Sequence, residues 1–316
     1  MKKLISLLLC LVMCLALIPS GAVFAADNIA SGSGWYIDSV GRLYLTGAVH
    51  NPGGYSNTYY NPVFGSNSFK IKAVYTKPGA SIDNCDHLFY DCENVTSIDL
   101  SNLNTTGVTD MSGMFVDCKN LTNLNLGNID TSAVTDMAAM FSSCRSLPSL
   151  DLSGFNTANV TDMHHMFYEC YTLTELDLSS FNTSNVTDMG YMFAMCKKLC
   201  SVDVSSFNTA KVTDMHIMFA GCYALENLDI THFQTSKVTN MQAMFEECRS
   251  LEYLYLYSFS TIAVTNMYDM FKGCTALRYL DLSNFSTGNV KNMGGMFRDC
   301  TSLAYLYVNN FNTARV

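Results

Sequence analysis

Nine cysteines recur with constant spacing, one in each 26-residue repeat, and thiols in such a row could form disulfides, bind zinc or act as nucleophiles. They are Cys92, Cys118, Cys144, Cys170, Cys196, Cys222, Cys248, Cys274 and Cys300. If the repeats stack, neighbouring thiols lie about 4.8 Å apart, within the Cα range of a disulfide. Their Cβ vectors would run parallel, however, and an odd number of thiols cannot pair completely. We therefore expect buried free thiols, with disulfide pairing as the alternative.

The cysteines and histidines give little support for metal binding or catalysis. One cysteine per repeat forms a line, which cannot supply the tetrahedral ligands of zinc. His164 and His216 share a column two repeats apart, about 10 Å, which is too far to share a metal. Cys200 lies outside the cysteine column and is the best candidate for a reactive or crosslinking thiol. No nucleophile–base pair or phosphate loop recurs, so the sequence predicts a protein that is not an enzyme and needs no metal or cofactor.

A row of acidic residues occupies one position of each repeat. Its members are Asp99, Asp151, Asp177, Asp203, Asp229 and Asp281, and Asn125 interrupts it. Calcium takes about six to eight oxygen ligands, and one carboxylate per repeat supplies few of them. A solvated strand face explains the row better than a calcium site does.

Tyrosines replace Ser, Asn and Asp at the outward strand positions of the last three repeats. They are Tyr253, Tyr255, Tyr257, Tyr279, Tyr305 and Tyr307, with Arg278 and Asp281 beside them. Tyrosine has a flat apolar ring and a polar hydroxyl, which suit contact surfaces. It also suits β-strands and stacks across them without any binding role. Because the inward positions are unchanged in these repeats, we interpret the eight residues as a ligand-binding surface for a protein or a sugar.

The elements that position these residues follow from one repeat, 173–198. Leu173, Leu176 and Leu178 alternate as in a short strand, and Met189, Met192, Phe193 and Cys196 have the i, i+3, i+4, i+7 spacing of a two-turn helix. Thr187 or Asp188 could cap that helix. Units of this length cannot bury their apolar faces alone and must stack. The predicted fold is an α/β solenoid with one short parallel strand and one short helix per 26-residue repeat.

The remaining organisation comes from the N-terminal part of the chain and from the last repeat. Residues 1–25 read as a secretory signal peptide, with Lys2 and Lys3 before an apolar run and cleavage after Ala25. Residues 26–70 are predicted to form an N-terminal β-hairpin cap, with strands within 35–46, followed by a loop. Residues 71–316 form the solenoid, and subtracting 26 matches Val74 with Leu100 in an imperfect first repeat. The chain stops within a repeat at Val316, so we expect the solenoid to be incomplete.

Charge and hydropathy disfavour some classes of binding partner and indicate the cellular compartment. Removing Lys2 and Lys3 from 18 basic residues leaves 16, against 27 acidic ones, a net charge of −11 without any basic stretch. Nucleic acid and anionic lipid are therefore unfavourable partners, since both are bound through clusters of Lys and Arg. No second long apolar run follows the signal, so the mature chain has no transmembrane segment. We expect it to be secreted or held at the cell surface.

The repeat resembles that of a known family. The pattern L-x-x-L-D-L-S-x-F-N-T-x-x-V-T-D-M-x-x-M-F-x-x-C, carried over 71–316, is similar to the repeat of bacterial leucine-rich-repeat surface proteins of the BspA type. Residues 35–47 look like the N-terminal cap of that family. The chain departs from the general leucine-rich pattern at Phe181, where an Asn is usual.

The resemblance implies an exported, adhesin-like surface protein that binds an extracellular protein or glycan. Two alternatives stay open. The chain could be the glycan-binding module of a larger secreted protein, or a structural spacer that presents another domain. Fold alone does not choose among them.

Overall fold

The computed structural model describes residues 28–53 and 61–316. The predicted signal peptide, residues 1–25, lies outside this range. Twelve short strands and one 3-10 helix, Ser68–Lys70, are found in the described residues. The strands are β1 Ala30–Gly32, β2 Trp35–Ile37, β3 Arg42–Leu45, β4 Ala48–Val49, β5 Ala73–Thr76, β6 Ser81–Ile82, β7 Ser97–Asp99, β8 Asn123–Asn125, β9 Glu175–Asp177, β10 Ser201–Asp203, β11 Tyr279–Asp281 and β12 Tyr305–Tyr307.

The first sheet joins an N-terminal hairpin to the repeats. Its six strands run in the order β1-β2-β3-β5-β7-β8. Strands β1, β2 and β3 pair antiparallel, whereas β3, β5, β7 and β8 pair parallel. The turn between β2 and β3 is closed by the Gly41 N–H, which donates to the Asp38 carbonyl at 3.0 Å. The hairpin therefore continues the strand face of the repeats as neighbouring strands of the same sheet.

Successive repeats stack in register. Strand β9 pairs with β10 and β11 with β12, both parallel, and each pair joins equivalent positions of consecutive repeats. A second row of parallel bridges links equivalent residues from Asp110 to Asn292 through every intervening repeat. The strand ladder weakens near Pro148, which has no N–H. The equivalent Cys200 N–H bonds to the preceding repeat at Thr174, 2.9 Å away.

The prediction of one helix per repeat is wrong. The described residues contain no α-helix, and residues 190–195 are consecutive turns. The N–H groups of Met192 and Cys196 donate to carbonyls three residues earlier, at 3.3 and 3.1 Å. Those of Met189 and Phe193 donate to the next repeat, at 3.1 and 2.9 Å. An α-helix would instead send each N–H to the residue four earlier.

The turn segment requires a backbone conformation that a helix forbids. Tyr191 and Met195 have φ values of 58° and 61°, in the left-handed region, and equivalent residues of the other repeats share it. The two left-handed residues of each repeat lie four positions apart, which is close to the 3.6-residue period of a helix. The turns therefore give the buried side chains a spacing like that of a helix. Asp188, which was predicted to cap a helix, has a different role. The Asp188 carboxylate accepts the N–H of Gly190 at 2.8 Å, which closes a turn.

The repeats are held together by columns of identical buried side chains. Phe193 and Phe219 are typical of the phenylalanine column, with ring centroids 5.2 Å apart and nearly parallel planes. The cysteine column is buried beside it, and Cys196 Sγ donates to the Phe167 carbonyl at 3.1 Å. Burial raises the pKa of the Cys196 thiol well above its usual range. These thiols therefore act as small apolar side chains that each satisfy one backbone carbonyl.

The first repeat is shorter than the 26-residue period predicts. Val74 pairs with Ile98 and not with Leu100, so the strand register is shifted by one inward position. The expected register returns in the turn segment, where the Cys85 N–H bonds to Asp110 as the Met111 N–H bonds to Asp136. In the observed register Tyr75 lies opposite Asp99, in the column of outward acidic residues.

Candidate binding surface

The structure brings the predicted tyrosines together on one face of the strand ladder. Parallel pairing aligns Tyr253 with Tyr279 and Tyr279 with Tyr305. The next outward column holds Tyr255 and, in register with Asp281, Tyr307. The C-terminal tyrosine patch is defined as the six residues Tyr253, Tyr255, Tyr257, Tyr279, Tyr305 and Tyr307. It extends over three consecutive repeats. Leu254 and Leu280 beneath the tyrosines are buried, whereas Leu306 of the last repeat is 37% exposed.

Most of the patch is open to solvent. The exposed fractions are 50% for Tyr253, 56% for Tyr255, 70% for Tyr257, 62% for Tyr305 and 42% for Tyr307. The intervening Leu254 and Leu280 are 4% and 0% exposed. Six fully exposed tyrosines would offer about 900–1,500 Å², so half exposure leaves roughly 450–750 Å². A standard protein interface buries about 800 Å² per partner, so a protein ligand must also contact neighbouring repeats.

Two shallow grooves border the patch. One, of ≈ 780 Å³, runs between Tyr253, Tyr255, Tyr279 and Tyr305, with Arg278 at its wall. The other, of ≈ 1070 Å³, lies on the opposite side of Tyr253 and Tyr255. The acidic residues Glu226, Asp229 and Glu252 line that second groove. The patch therefore offers an aromatic groove and, next to it, an acidic one.

Arg278 and Asp281, which lie beside the patch, have different surroundings. Arg278 Nη2 lies 3.6 Å from Glu252 Oε1, and both side chains are exposed, so this ion pair is loose. The Asp281 carboxylate accepts the Ser283 N–H at 2.9 Å, and hydrogen bonds from Ser283 lower its pKa. Tyr279 and Tyr307 form the closest ring pair, with centroids 5.8 Å apart and planes tilted by 51°. The ring faces of the patch are therefore mostly unstacked.

The acidic row has a structural role at the end of each strand. The carboxylates of Asp177 and Asp203 each accept the N–H two residues later, both at 2.9 Å. Hydrogen bonds from Ser179 lower the pKa of Asp177, which stays ionised and exposed. Within the described residues, no group of three or more His, Cys, Asp or Glu side chains is arranged to hold a metal ion.

A second cluster of tyrosines was not predicted from the sequence. Tyr36, Tyr44 and Tyr75 lie in register on β2, β3 and β5, on the same face as the C-terminal patch. Their rings stack, with centroids 4.9 and 5.5 Å apart. The alternation in R-L-Y-L and A-V-Y-T-K was the available signal, but the 26-residue period aligned Tyr75 with the wrong column. We call these three residues the N-terminal tyrosine ladder.

The repeats identify the family of the chain. A family model described as "Mycoplasma protein of unknown function, DUF285" matches residues 83–201, 171–276 and 223–316. These matches together extend over 83–316, most of the chain, so the chain belongs to this family. No curated protein matches it. The finer assignment to BspA-type surface proteins stays a prediction.

The solved structures to which this chain is similar include three bacterial leucine-rich-repeat proteins. The T. pallidum leucine-rich-repeat protein is 16% identical, with a TM-score of 0.37, and the match covers 70% of this chain and 90% of that one. A Bacteroides ovatus leucine-rich-repeat protein is 19% identical, with a TM-score of 0.40 and coverage of 87% and 79%. A leucine-rich cell surface protein of Faecalibacterium prausnitzii is 14% identical, with a TM-score of 0.32 and coverage of 90% and 96%. Similarities this low transfer neither a partner nor an activity.

One further finding concerns membranes. Across 28–53 and 61–316, no helix has the length and apolarity needed to cross a bilayer.

Proposed function

We propose that this chain binds an extracellular macromolecule through the C-terminal tyrosine patch and acts as an adhesin-like surface protein, without catalysis. One observation carries the proposal. Tyrosines that are 42–70% exposed replace small polar residues in adjacent repeats, while Leu254 and Leu280 beneath them stay buried. The change is thus confined to the surface, and large exposed aromatic side chains on a rigid sheet are typical of contact surfaces.

The signal peptide predicted for residues 1–25 supports export, and the repeat resemblance supports attachment at the cell surface. The patch would meet a protein partner with its open ring faces. Neighbouring repeats, which carry Asp and Ser at the same columns, would complete the interface. Binding through ring faces tolerates salt, because most of the contact is apolar.

A glycan ligand is the second candidate, and one observation favours it. The groove of ≈ 780 Å³ between Tyr253, Tyr255, Tyr279 and Tyr305 is lined mostly by aromatic rings. Sugar rings stack on aromatic faces and hydrogen-bond to phenol hydroxyls and to groups such as Arg278. The chain would then serve as the carbohydrate-binding part of a secreted protein.

Binding to an array of matrix proteins and glycans tests both candidates. The mature chain, residues 26–316, is compared with a variant carrying Tyr253→Ser, Tyr255→Ser, Tyr305→Ser and Tyr307→Ser. We expect loss of binding with unchanged folding. Binding to a protein class supports the adhesin, and binding to free oligosaccharides supports the glycan module.

A matched control removes exposed apolar side chains away from the strand face. Ile262 and Tyr268 are 61% and 38% exposed and lie on other segments of the repeat. The Ile262→Ser/Tyr268→Ser variant should bind as the parent does. Equal loss in both variants would attribute binding to general stickiness. A blank array for the folded parent would reject the proposal in favour of a spacer.

A further inference from the structure

The N-terminal tyrosine ladder differs from the C-terminal patch in how its rings are arranged. Tyr36 and Tyr44 stack at an interplanar angle of 26°, and Tyr44 and Tyr75 at 23°. Both faces of the Tyr44 ring are therefore occupied by neighbouring rings. Burial raises the pKa of Tyr44, so its hydroxyl stays protonated and able to donate. The ladder therefore presents a row of phenol rings whose centroids are 4.9 and 5.5 Å apart, close to the spacing of the strands that carry them.

Cations flank the ladder. Lys77 Nζ lies 5.0 Å from the centre of the Tyr44 ring, and Arg42 Cζ lies 6.0 Å from it. Arg42 Nε donates to the Asp38 carboxylate at 2.6 Å, and Asp38 is only 2% exposed. The guanidinium is thus held in place while its side chain remains 46% exposed. Lys72, one residue before β5, is also exposed.

The charge of this region is opposite to that of the rest of the chain. Residues 28–80 contain four basic residues and one acidic residue, a net charge of +3, whereas residues 81–316 contain 12 basic and 25 acidic residues, a net charge of −13. Tyr75 and Tyr255 are seven repeats apart along one column, about 34 Å. The Debye length is about 8 Å at physiological salt, so the acidic residues near Tyr255 are screened from the ladder. Asp99, opposite Tyr75 on β7, is an acidic residue that lies beside the ladder.

We propose that the N-terminal tyrosine ladder, with Arg42, Lys72 and Lys77, is a separate binding site for an anionic polysaccharide. A carboxylate or sulfate group would bind the guanidinium and the ammonium groups. The sugar hydroxyls would hydrogen-bond to the row of phenol hydroxyls. The flat sheet face allows a chain of sugars to lie across β2, β3 and β5.

Two other anionic partners fit the site less well. Single-stranded nucleic acid stacks its bases on aromatic faces, and here both faces of Tyr44 and one face each of Tyr36 and Tyr75 are occupied by neighbouring tyrosines. Duplex binding uses many phosphate contacts, more than three cations supply. An anionic membrane gains about 1 kcal/mol per basic residue, and the large negative charge of residues 81–316 opposes it.

The test measures binding of the mature chain to immobilised heparin, hyaluronan and neutral dextran at low and high salt. We expect binding to at least one of the two anionic chains, weakening as salt rises, and none to dextran. Absence of binding to both anionic chains, or equal binding to dextran, overturns the proposal.

Two variants locate the site. Lys72→Gln/Lys77→Gln should weaken binding by about tenfold at low salt. Tyr44→Phe/Tyr75→Phe keeps the stacked rings, removes two hydroxyls and should weaken binding several-fold. The control Lys211→Gln/Lys237→Gln makes the same charge change at two exposed lysines of the repeats and should bind as the parent does.

The remaining outcomes also decide the question. Equal weakening by both lysine variants would show unspecific attraction and overturn the site. Self-association that Lys72→Gln/Lys77→Gln abolishes, without polysaccharide binding, would assign the ladder to a second copy of the chain. Binding to anionic vesicles alone would assign it to a membrane. Because the C-terminal tyrosine variant should keep full anionic-polysaccharide binding, failure of this site and of the proposed function are distinguishable.

Discussion

The hydroxyl of Thr183 should contribute more to stability than its methyl group, although both are fully buried. Its Oγ1 donates to the Asn208 carbonyl at 3.1 Å and accepts the Asn208 N–H at 2.8 Å. Replacement by the nearly isosteric Val leaves both backbone groups of Asn208 unpaired. Each group left unpaired costs about 1–3 kcal/mol, so Thr183→Val should lower the free energy of unfolding by about 2–6 kcal/mol.

Urea unfolding followed by far-ultraviolet circular dichroism measures this loss. Thr183→Ser keeps both hydrogen bonds and loses one methyl group, so it should cost only about 1 kcal/mol. Thr187→Val is a second control. Thr187 is exposed, and its hydroxyl makes one long hydrogen bond, 3.3 Å, to the Thr161 carbonyl, so the change should stay within about 0.5 kcal/mol. If Thr183→Val is as stable as Thr183→Ser, the hydroxyl does not join the repeats and the reasoning is wrong.

Three further predictions follow from single contacts. Cys200 is the one exposed thiol among the described residues, Cys300 is partly buried and the other described thiols are buried, so a thiol reagent should label Cys200 fastest in the native chain, and denaturation should release the buried thiols. Gly190→Ala should destabilise the fold by about 1–3 kcal/mol, because the new Cβ would lie 2.6 Å from the His216 ring. The hydrogen bond to Asp214 raises the pKa of His216, so the stabilisation by protonated His216 is full below about pH 6.5 and is lost as pH rises through the raised value.

Each of the three has a direct check. Cys200→Ser should abolish the fast labelling phase and leave slower labelling of the partly buried Cys300, and an undiminished fast phase would contradict the assigned burial of the other thiols. His216→Ala should restore most of the stability lost in Gly190→Ala, measured by a double-mutant cycle. The difference in unfolding free energy between the parent and His216→Asn should be largest below about pH 6.5 and should shrink as pH rises above it, and a constant difference would contradict the ion pair with Asp214.

The sequence by itself determined the repeat, the inward columns and the tyrosine patch. Leu254 and Tyr253 alternate in one strand, and alternation alone tells inward from outward positions. The constant repeat length then aligned Tyr279 with Tyr305, because equal repeats stack in parallel with equal offsets. Periodicity is sufficient for these inferences, since they concern which side of the backbone a residue occupies.

Only the tertiary structure decided the backbone conformation of the turn segment. The spacing of Met189, Met192, Phe193 and Cys196 places all four inside in a helix and equally inside in turns that recur every four residues. Whether a helix or turns form depends on hydrogen bonds to the next repeat, and the spacing of the buried residues does not reveal those hydrogen bonds. Tyr191 stands at a left-handed position where a glycine would have signalled a turn.

The N-terminal tyrosine ladder was also settled by tertiary structure alone. Tyr36, Tyr44 and Tyr75 are brought together by an antiparallel hairpin and by a first repeat that is shorter than the others. Neither the strand direction nor the shortened offset follows from the 26-residue period. Charge summed over the whole chain concealed the basic end, although counting residues 28–80 and 81–316 separately gives +3 and −13 from the sequence itself.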